Sequence, residues 1–261
     1  MSERTSYAPG TPCWIDLGTP DQDAAAEFYG ALFDWSVEED ENAEQTGGYR
    51  VATLRDKGIG GVMKLMEEGQ PPAWSTYIAV DDVDATVAKA KEAGGSVIAE
   101  PMDVLDYGRM AFLADPSGAV LGLWKAGRNV GAGLVNEPGA LSWNELNTRD
   151  VAGAKDFYGA VFGWTFDDQG SYTRVLLDGD PVAGILNLVE QGVPEEVPAH
   201  WQVYFAVDDT DATVEKAKAG GGGVLVEPFD TPIGRIAILH DPFRASFAVI
   251  ALSQEARENA P

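Results

Sequence analysis

The chain has 261 residues, 45% of them hydrophobic, and a formal net charge of −24. Such a surface repels phosphate backbones and anionic headgroups, which argues against nucleic-acid and membrane partners. No apolar run reaches the ~18 residues of a membrane span, and MSERTSYAPG has neither the basic start nor the apolar stretch of a secretory leader, so a cytoplasmic location is expected. The single Cys13 has no second thiol for a disulfide or a thiolate metal site and reads as a half-buried residue beside Trp14.

The sequence repeats. PGTPCWIDLGTPDQDAAAEFYGALFDW, from Pro9 to Trp35, returns from Pro138 to Trp164 as PGALSWNELNTRDVAGAKDFYGAVFGW, an offset of 129. PAWSTYIAVDD returns as PAHWQVYFAVDD, and Asp115-Pro116 returns as Asp241-Pro242. A unit of about 125 residues is a domain rather than a solenoid repeat. The expectation is two homologous domains, residues 9–125 and 138–253, each burying its own core and joined by a glycine-rich linker over 126–137. The first eight residues and the tail after Ser253 read as frayed ends.

In chain order, CWIDLG reads as a strand, followed by a helix over about 21–33 with Asp21 at its N-cap. Residues 48–54 alternate as a strand, Lys57-Gly58 turns the chain, and 59–65 returns with Gly60-Gly61 allowing a bulge. The next module begins with a strand over 75–80 and a helix over 83–93 closed by Gly94-Gly95. Strands near 97–100, 109–114 and 120–124 follow, the last two joined by the turn Asp115-Pro116-Ser117-Gly118. The order βαβββ thus occurs twice per domain and predicts an α+β chain.

Phe28-Tyr29, Asp81-Asp82, Gly94-Gly95 and the Asp115 turn, with Phe157-Tyr158, Asp208-Asp209, Gly220-Gly221 and Asp241-Pro242 in the second copy, resemble the vicinal oxygen chelate superfamily. That group holds glyoxalases, bleomycin-resistance proteins and extradiol dioxygenases. The closest likeness is to its two-domain actinobacterial subgroup, to which hydroxylase activity is commonly ascribed. The resemblance implies that each domain curls two βαβββ modules into a bowl-shaped mixed sheet with a small-molecule site on the concave face. Family metal sites take a His or Gln from the first strand, a Glu from the fourth, a His from the fifth and a Glu from the eighth. Here the first position holds Trp14 and Trp143, the fifth Ser75 and Gln202, the eighth Gly122 and Ala248, and the fourth strands contain no acid or histidine. Only Gln202 could ligate, so neither a metal nor another cofactor is expected. A second-copy site using Glu145 with His200 or His240 is a lesser alternative.

Residues two apart on a strand share a face. Asp16 should therefore join Trp14 in the first bowl, and Glu145 should join Trp143 in the second. A carboxylate beside an indole in a partly apolar cavity has its charged form disfavoured, which suits a general acid or base near neutral pH. Asp16 and Glu145 are the catalytic candidates. The competing reading is a structural carboxylate satisfied by backbone amides or by Arg109 and Arg235. Ligand-binding candidates are Trp14, Trp143, Ser75, Tyr77, Gln202, Tyr204 and His240, and Trp74, Tyr49, Trp201 and Tyr172 belong to the same repeated aromatic set. Phe28, Tyr29, Phe157 and Tyr158 are assigned to the core under the helix, and the second pocket should be more polar because His200, His240 and Arg244 occur only there. Nucleophile elbows, phosphate loops and dinucleotide fingerprints are absent. These features predict either a metal-independent enzyme, hydroxylase-like or lyase-like, acting on a small aromatic or natural-product metabolite, or a protein that sequesters such a molecule. It would be a monomer or homodimer.

Overall fold

A computed structural model of the chain describes residues 3–65 and 69–258. The first copy runs β1 (Pro12–Thr19), α1 (Gln22–Phe33), β2 (Ser36–Glu39), β3 (Arg50–Leu54), β4 (Lys57–Lys64), β5 (Ala73–Ala79), α2 (Val83–Glu92), β6 (Ser96–Val104), β7 (Gly108–Ala114) and β8 (Val120–Ala126). The second repeats it as β9 (Leu141–Thr148), α3 (Val151–Phe162), β10 (Thr165–Gln169), β11 (Tyr172–Leu177), β12 (Asp180–Asn187), β13 (His200–Ala206), α4 (Thr210–Ala219), β14 (Gly223–Thr231), β15 (Gly234–His240) and β16 (Ser246–Leu252). A short helix, α5 (Gln254–Glu258), follows.

Each copy forms one eight-stranded mixed sheet, ordered β2-β3-β4-β1-β5-β8-β7-β6 and β10-β11-β12-β9-β13-β16-β15-β14. The modules meet where β1 and β5, or β9 and β13, pair antiparallel at the sheet centre. Asp21 caps α1 by accepting from the amides of Asp23 and Ala24, as its side chain predicts. Two features escaped the sequence pattern. The edge strands β2 and β10 are short and rich in acids, with no apolar alternation to reveal them. Strand β6 continues through Pro101, which an edge strand with register shifts accommodates. The extra residue in the β3–β4 ladder is Ile59, so Gly60-Gly61 does not form the bulge.

The copies do not bury separate cores. Helix α1, with Phe28, Tyr29, Leu32 and Phe33, packs in one cluster with Val203, Phe205 and Phe247 of the second copy. A second cluster joins Ile78, Leu113 and Leu123 to Phe157, Tyr158 and Trp164. The alternating pattern marked these faces as apolar but could not name their partner. The two bowls stand back to back with concave faces outward. Hydrogen bonds cross the seam: the Tyr29 hydroxyl donates to Asp241 Oδ2 at 3.3 Å, Tyr158 donates to Asp115 Oδ2 at 3.0 Å, and Thr76 Oγ1 donates to Asn144 Oδ1 at 2.7 Å. Trp74 and Trp201 donate their indole N–H groups to Tyr29 and Tyr158, so these two tryptophans belong to the seam and not to a ligand pocket.

Residues 3–4 and the inter-copy segment are tied into the fold. Glu3 bridges Leu134, the Arg4 amide donates to the Gly133 carbonyl at 3.0 Å, and Ala132 and Leu134 of the inter-copy segment are buried. Cys13 is fully buried rather than half-buried, which pushes its thiol pKa up. No helix among the described residues is long and apolar enough to cross a membrane.

Candidate functional site

The antiparallel ladder places Trp14 opposite Tyr77 and Asp16 opposite Ser75. In the second copy Trp143 stands opposite Tyr204 and Glu145 opposite Gln202. Directly opposed residues share a face, so each quartet lies on one concave surface. The register shift near each strand start falls before Trp14 and before Trp143, leaving these pairs intact.

Both carboxylates are buried and held by aromatic donors. Asp16 Oδ1 accepts from Trp14 Nε1 at 2.9 Å and from the Tyr49 hydroxyl at 2.5 Å, while Oδ2 accepts from Tyr77 at 2.7 Å. Glu145 Oε1 accepts from Tyr204 at 2.9 Å and the carboxylate is also hydrogen-bonded by Tyr172, whose hydroxyl accepts from Trp143 Nε1 at 2.9 Å. The anticipated backbone and arginine partners are not used. Arg109 pairs with Asp84 and Asp103, and Arg235 pairs with Asp211 and Asp230.

Glycines create the space for this clamp. A Cβ on Gly61, opposite Asp16 across the parallel pair, would lie 1.9 Å from the Tyr49 hydroxyl, and one on Gly184 would lie 1.9 Å from that of Tyr172. A Cβ on Gly122 would lie 2.3 Å from the Tyr77 ring. The sequence reading placed Tyr49 and Tyr172 among the aromatics but missed their contact with the acids. The recurring glycine on the strand beside each acid was the available signal.

Burial dominates the electrostatics. It raises the Asp16 pKa although three hydrogen bonds oppose it, and it pushes Glu145 up to about 7 against the pull of Tyr204 and Tyr172. Burial and the neighbouring carboxylates drive the Tyr49, Tyr77 and Tyr204 phenols well above their ordinary range, so they remain protonated donors. Near neutral pH Glu145 is divided between acid and carboxylate, the condition for giving or taking a proton.

The remaining candidates extend this surface in the second copy. The buried Gln202 accepts from Ser246 Oγ at 3.0 Å, whereas its Nε2 has only a 3.4 Å contact to the Val203 carbonyl, longer than a good N–H···O bond. Ser246 lies opposite His240, giving a row Glu145–Gln202–Ser246–His240 across four adjacent strands. His240 is thus roughly 14 Å from Glu145 at ordinary strand spacing. Its ring is also engaged, with Nδ1 2.8 Å from the Asp241 carbonyl and Nε2 2.9 Å from Arg244 Nη1. It closes the end of the row and does not join the carboxyl clamp. His200 lies beside Asn147 with Nε2 3.4 Å from Nδ2. The second bowl therefore presents Gln202, Ser246 and His240 where the first has Ser75, Val120 and Ala114. A cleft of about 210 Å³ near the first bowl lies beside Tyr7, Ala79, Asp81 and Trp124, with neither Trp14 nor Asp16 in its wall.

These residues do not fit the metal centre that the resemblance implies. Among the described residues no three of His, Cys, Asp and Glu gather around a point. The eighth-strand ligand position in the first copy is a glycine whose Cβ would strike a tyrosine, and on the fourth strand the tyrosine hydroxyl fills the space beside the acid.

Fold and site together define a duplicated bowl protein, and sequence comparison names the family. The chain belongs to the Glyoxalase/Bleomycin resistance protein/Dioxygenase superfamily, whose sequence profile matches residues 13–123 and 140–249. It is 47% identical over 258 residues to the protein named "Putative glyoxylase CFP32" of Mycobacterium tuberculosis, covering 96% of this chain and 98% of that one. It is 42% identical over 270 residues to the anthracycline biosynthesis protein DnrV of Streptomyces peucetius, covering 96% of each. Among solved structures, the Mn(II)-bound glyoxalase of Novosphingobium aromaticivorans shares the fold with a TM-score of 0.65 and 16% identity, over 96% of this chain and 83% of that one.

Proposed function

We propose that the protein binds and transforms a small organic metabolite in a bowl that works without a metal ion, with a clamped carboxyl as the proton-transfer group. The observation that supports this reading is Glu145, buried between Trp143, Tyr172 and Tyr204 with a pKa of about 7. Asp16 is the corresponding group of the first bowl. A neutral carboxyl can protonate a developing oxyanion, and its ionised form can remove an acidic C–H or O–H proton. The tyrosines hold the carboxyl in place and steady either form. The resemblance implies a hydroxylase-like activity, but hydroxylation needs an oxidant that these residues do not supply, so the clamp's proton transfer favours a lyase-like step instead. Relatives named for anthracycline biosynthesis favour an aromatic, natural-product-like ligand.

Incubation with a panel of aromatic metabolites, read by native mass spectrometry for binding and by liquid chromatography for conversion, tests the proposal. Conversion by the wild type, lost in a clamp-acid variant that still binds, is the expected result. About one equivalent of Zn, Fe, Mn or Ni together with chelator-sensitive activity would contradict the metal-independent part. The saturation of Asp16 by three donors favours a second reading, sequestration without chemistry, which recovery of every bound ligand unchanged would establish.

A further inference from the structure

The two concave faces carry the same clamp, with Asp16 and Glu145 buried alike, but differ in what is built over their rims. In the first copy the loop between β2 and β3 reaches across to the β6–β7 hairpin, although β2 and β6 are opposite edges of the sheet. Asn42 Nδ2 donates to the Tyr107 hydroxyl at 3.0 Å, Tyr107 donates to Asp40 at 2.8 Å, and Arg128 lies over the Tyr107 ring while pairing with Glu41. The inter-copy segment adds a second closure. Trp124 Nε1 donates to the Asn129 carbonyl, the Ala132 amide donates to the Cys13 carbonyl, and Tyr7 donates to the Ala132 carbonyl. Ala132 and Val135 pack in one cluster with Trp14, Tyr77 and Trp124, so the chain's own residues fill this bowl.

Among the described residues the second copy shows neither device. The offset between copies falls from 129 at Trp35/Trp164 to 123 at Tyr49/Tyr172, so six residues of the clasping loop are missing and Gly170-Ser171 turns the chain instead. Among the described residues no hydrogen bond joins that turn to the β14–β15 hairpin. Bulky Met110, Phe112 and Trp124 are replaced by Ile236, Ile238 and Ile250, which leaves a smaller apolar cluster beneath Tyr204. On β14, Val226 and Phe229 stand opposite Ile238 and Ile236 and are 42% and 41% exposed, while Met102 at the Phe229 position of the first copy is 52% exposed, so the copies differ there in the side chain offered and not in its exposure.

We infer that the second bowl is the ligand site and the first a closed structural counterpart. The occupant is a flat polycyclic aromatic molecule bearing a carbonyl or phenolic oxygen. Its apolar face lies against the β14–β16 wall and its oxygen faces Glu145 and the Gln202 amide. This assignment rests on the proposed function for its ligand class, but its test requires no turnover. The probe is 1,8-dihydroxyanthraquinone, titrated into the full chain and followed by quenching of tryptophan fluorescence. One equivalent should bind. Phe229→Asp should weaken binding by about tenfold or more, the scale of losing one aromatic contact, while its first-copy counterpart Met102→Asp should stay within about twofold. Both positions are exposed, so neither change empties a core. Hydrogen exchange of the wild type should show probe-dependent protection in β14 and β15 and none in β6, β7 or the 40–48 loop. Protection confined to the first copy, equal sensitivity to the two variants, two equivalents bound, or no binding overturns the inference. Binding in the second bowl without conversion leaves the site standing and removes only the enzymatic reading.

Discussion

The first and second bowls descend from one sequence unit and differ mainly at the rim. Each sets an acid two residues beyond a tryptophan, brings two tyrosines to it, and clears the space with a glycine on the neighbouring strand. The first is then clasped by a loop and an inter-copy segment, and the second is six residues shorter in that loop and, among the described residues, carries no such clasp. On the proposed reading, one buried carboxyl clamp serves as scaffold and the other as chemistry, and the segments built over the rim decide between them. Retention of both clamps has a structural reason as well, because each sits at the β1–β5 or β9–β13 junction that holds two modules together.

The largest effect that would break this contrast lies in catalysis. Glu145→Gln should lower turnover of an identified substrate by ~10²–10⁴, the range for a general acid–base group, while Asp16→Asn should leave it within about threefold. Equal losses would make the bowls equivalent. The wild-type rate should bend near pH 7, where Glu145 titrates, and that bend should be absent in Glu145→Gln.

Stability gives the next effect. The folded-state pKa of Glu145 is raised, so the folded chain holds a proton that the unfolded chain releases between about pH 4.5 and 7. The associated stability is fully present below the lower pH and lost as pH rises through the upper one. Relative to Glu145→Gln, wild-type stability should fall by about 3 kcal/mol between pH 4 and 9, measured by urea unfolding. A flat difference would mean that the carboxylate is ionised throughout.

Smaller effects concern the glycines and the seam. Gly61→Ala and Gly184→Ala should each cost about 1–3 kcal/mol, because the new methyl displaces a tyrosine hydroxyl from its acid. Gly163→Ala, at a left-handed helix end outside either bowl with open space around it, provides a control for backbone strain alone. Tyr29→Phe and Tyr158→Phe should each cost about 1 kcal/mol, since each leaves a buried aspartate short of one donor.

Much of this was legible in the sequence. The duplication implied two matching halves, the βαβββ order and the family resemblance implied the fold, and strand alternation put Trp14 with Asp16 and Trp143 with Glu145 on one face each, because neither strand shifts register between those residues. The identity of the clamping donors was not, since Tyr49, just ahead of β3, and Tyr172, on β11, reach the acids from two places away in the sheet and strand periodicity carries no information across that distance. The back-to-back packing was hidden for a similar reason. Apolar alternation marks a face to be buried, and nothing in Phe28 or Tyr29 says that Phe247 will cover it. The clasp over the first bowl involves polar loop residues such as Asn42 and Tyr107, whose composition alone resembles any solvated turn.

The most direct test of the central claim is a carbon-13 NMR titration of the side-chain carboxyls in uniformly labelled protein, assigned with Glu145→Gln and Asp16→Asn. The account predicts that the Glu145 carboxyl titrates near pH 7 and that Asp16 titrates above the ordinary aspartate range. Midpoints for both at or below about pH 4, the ordinary carboxylate range, would show the acids ionised under working conditions and would contradict a proton-transfer role for the clamp.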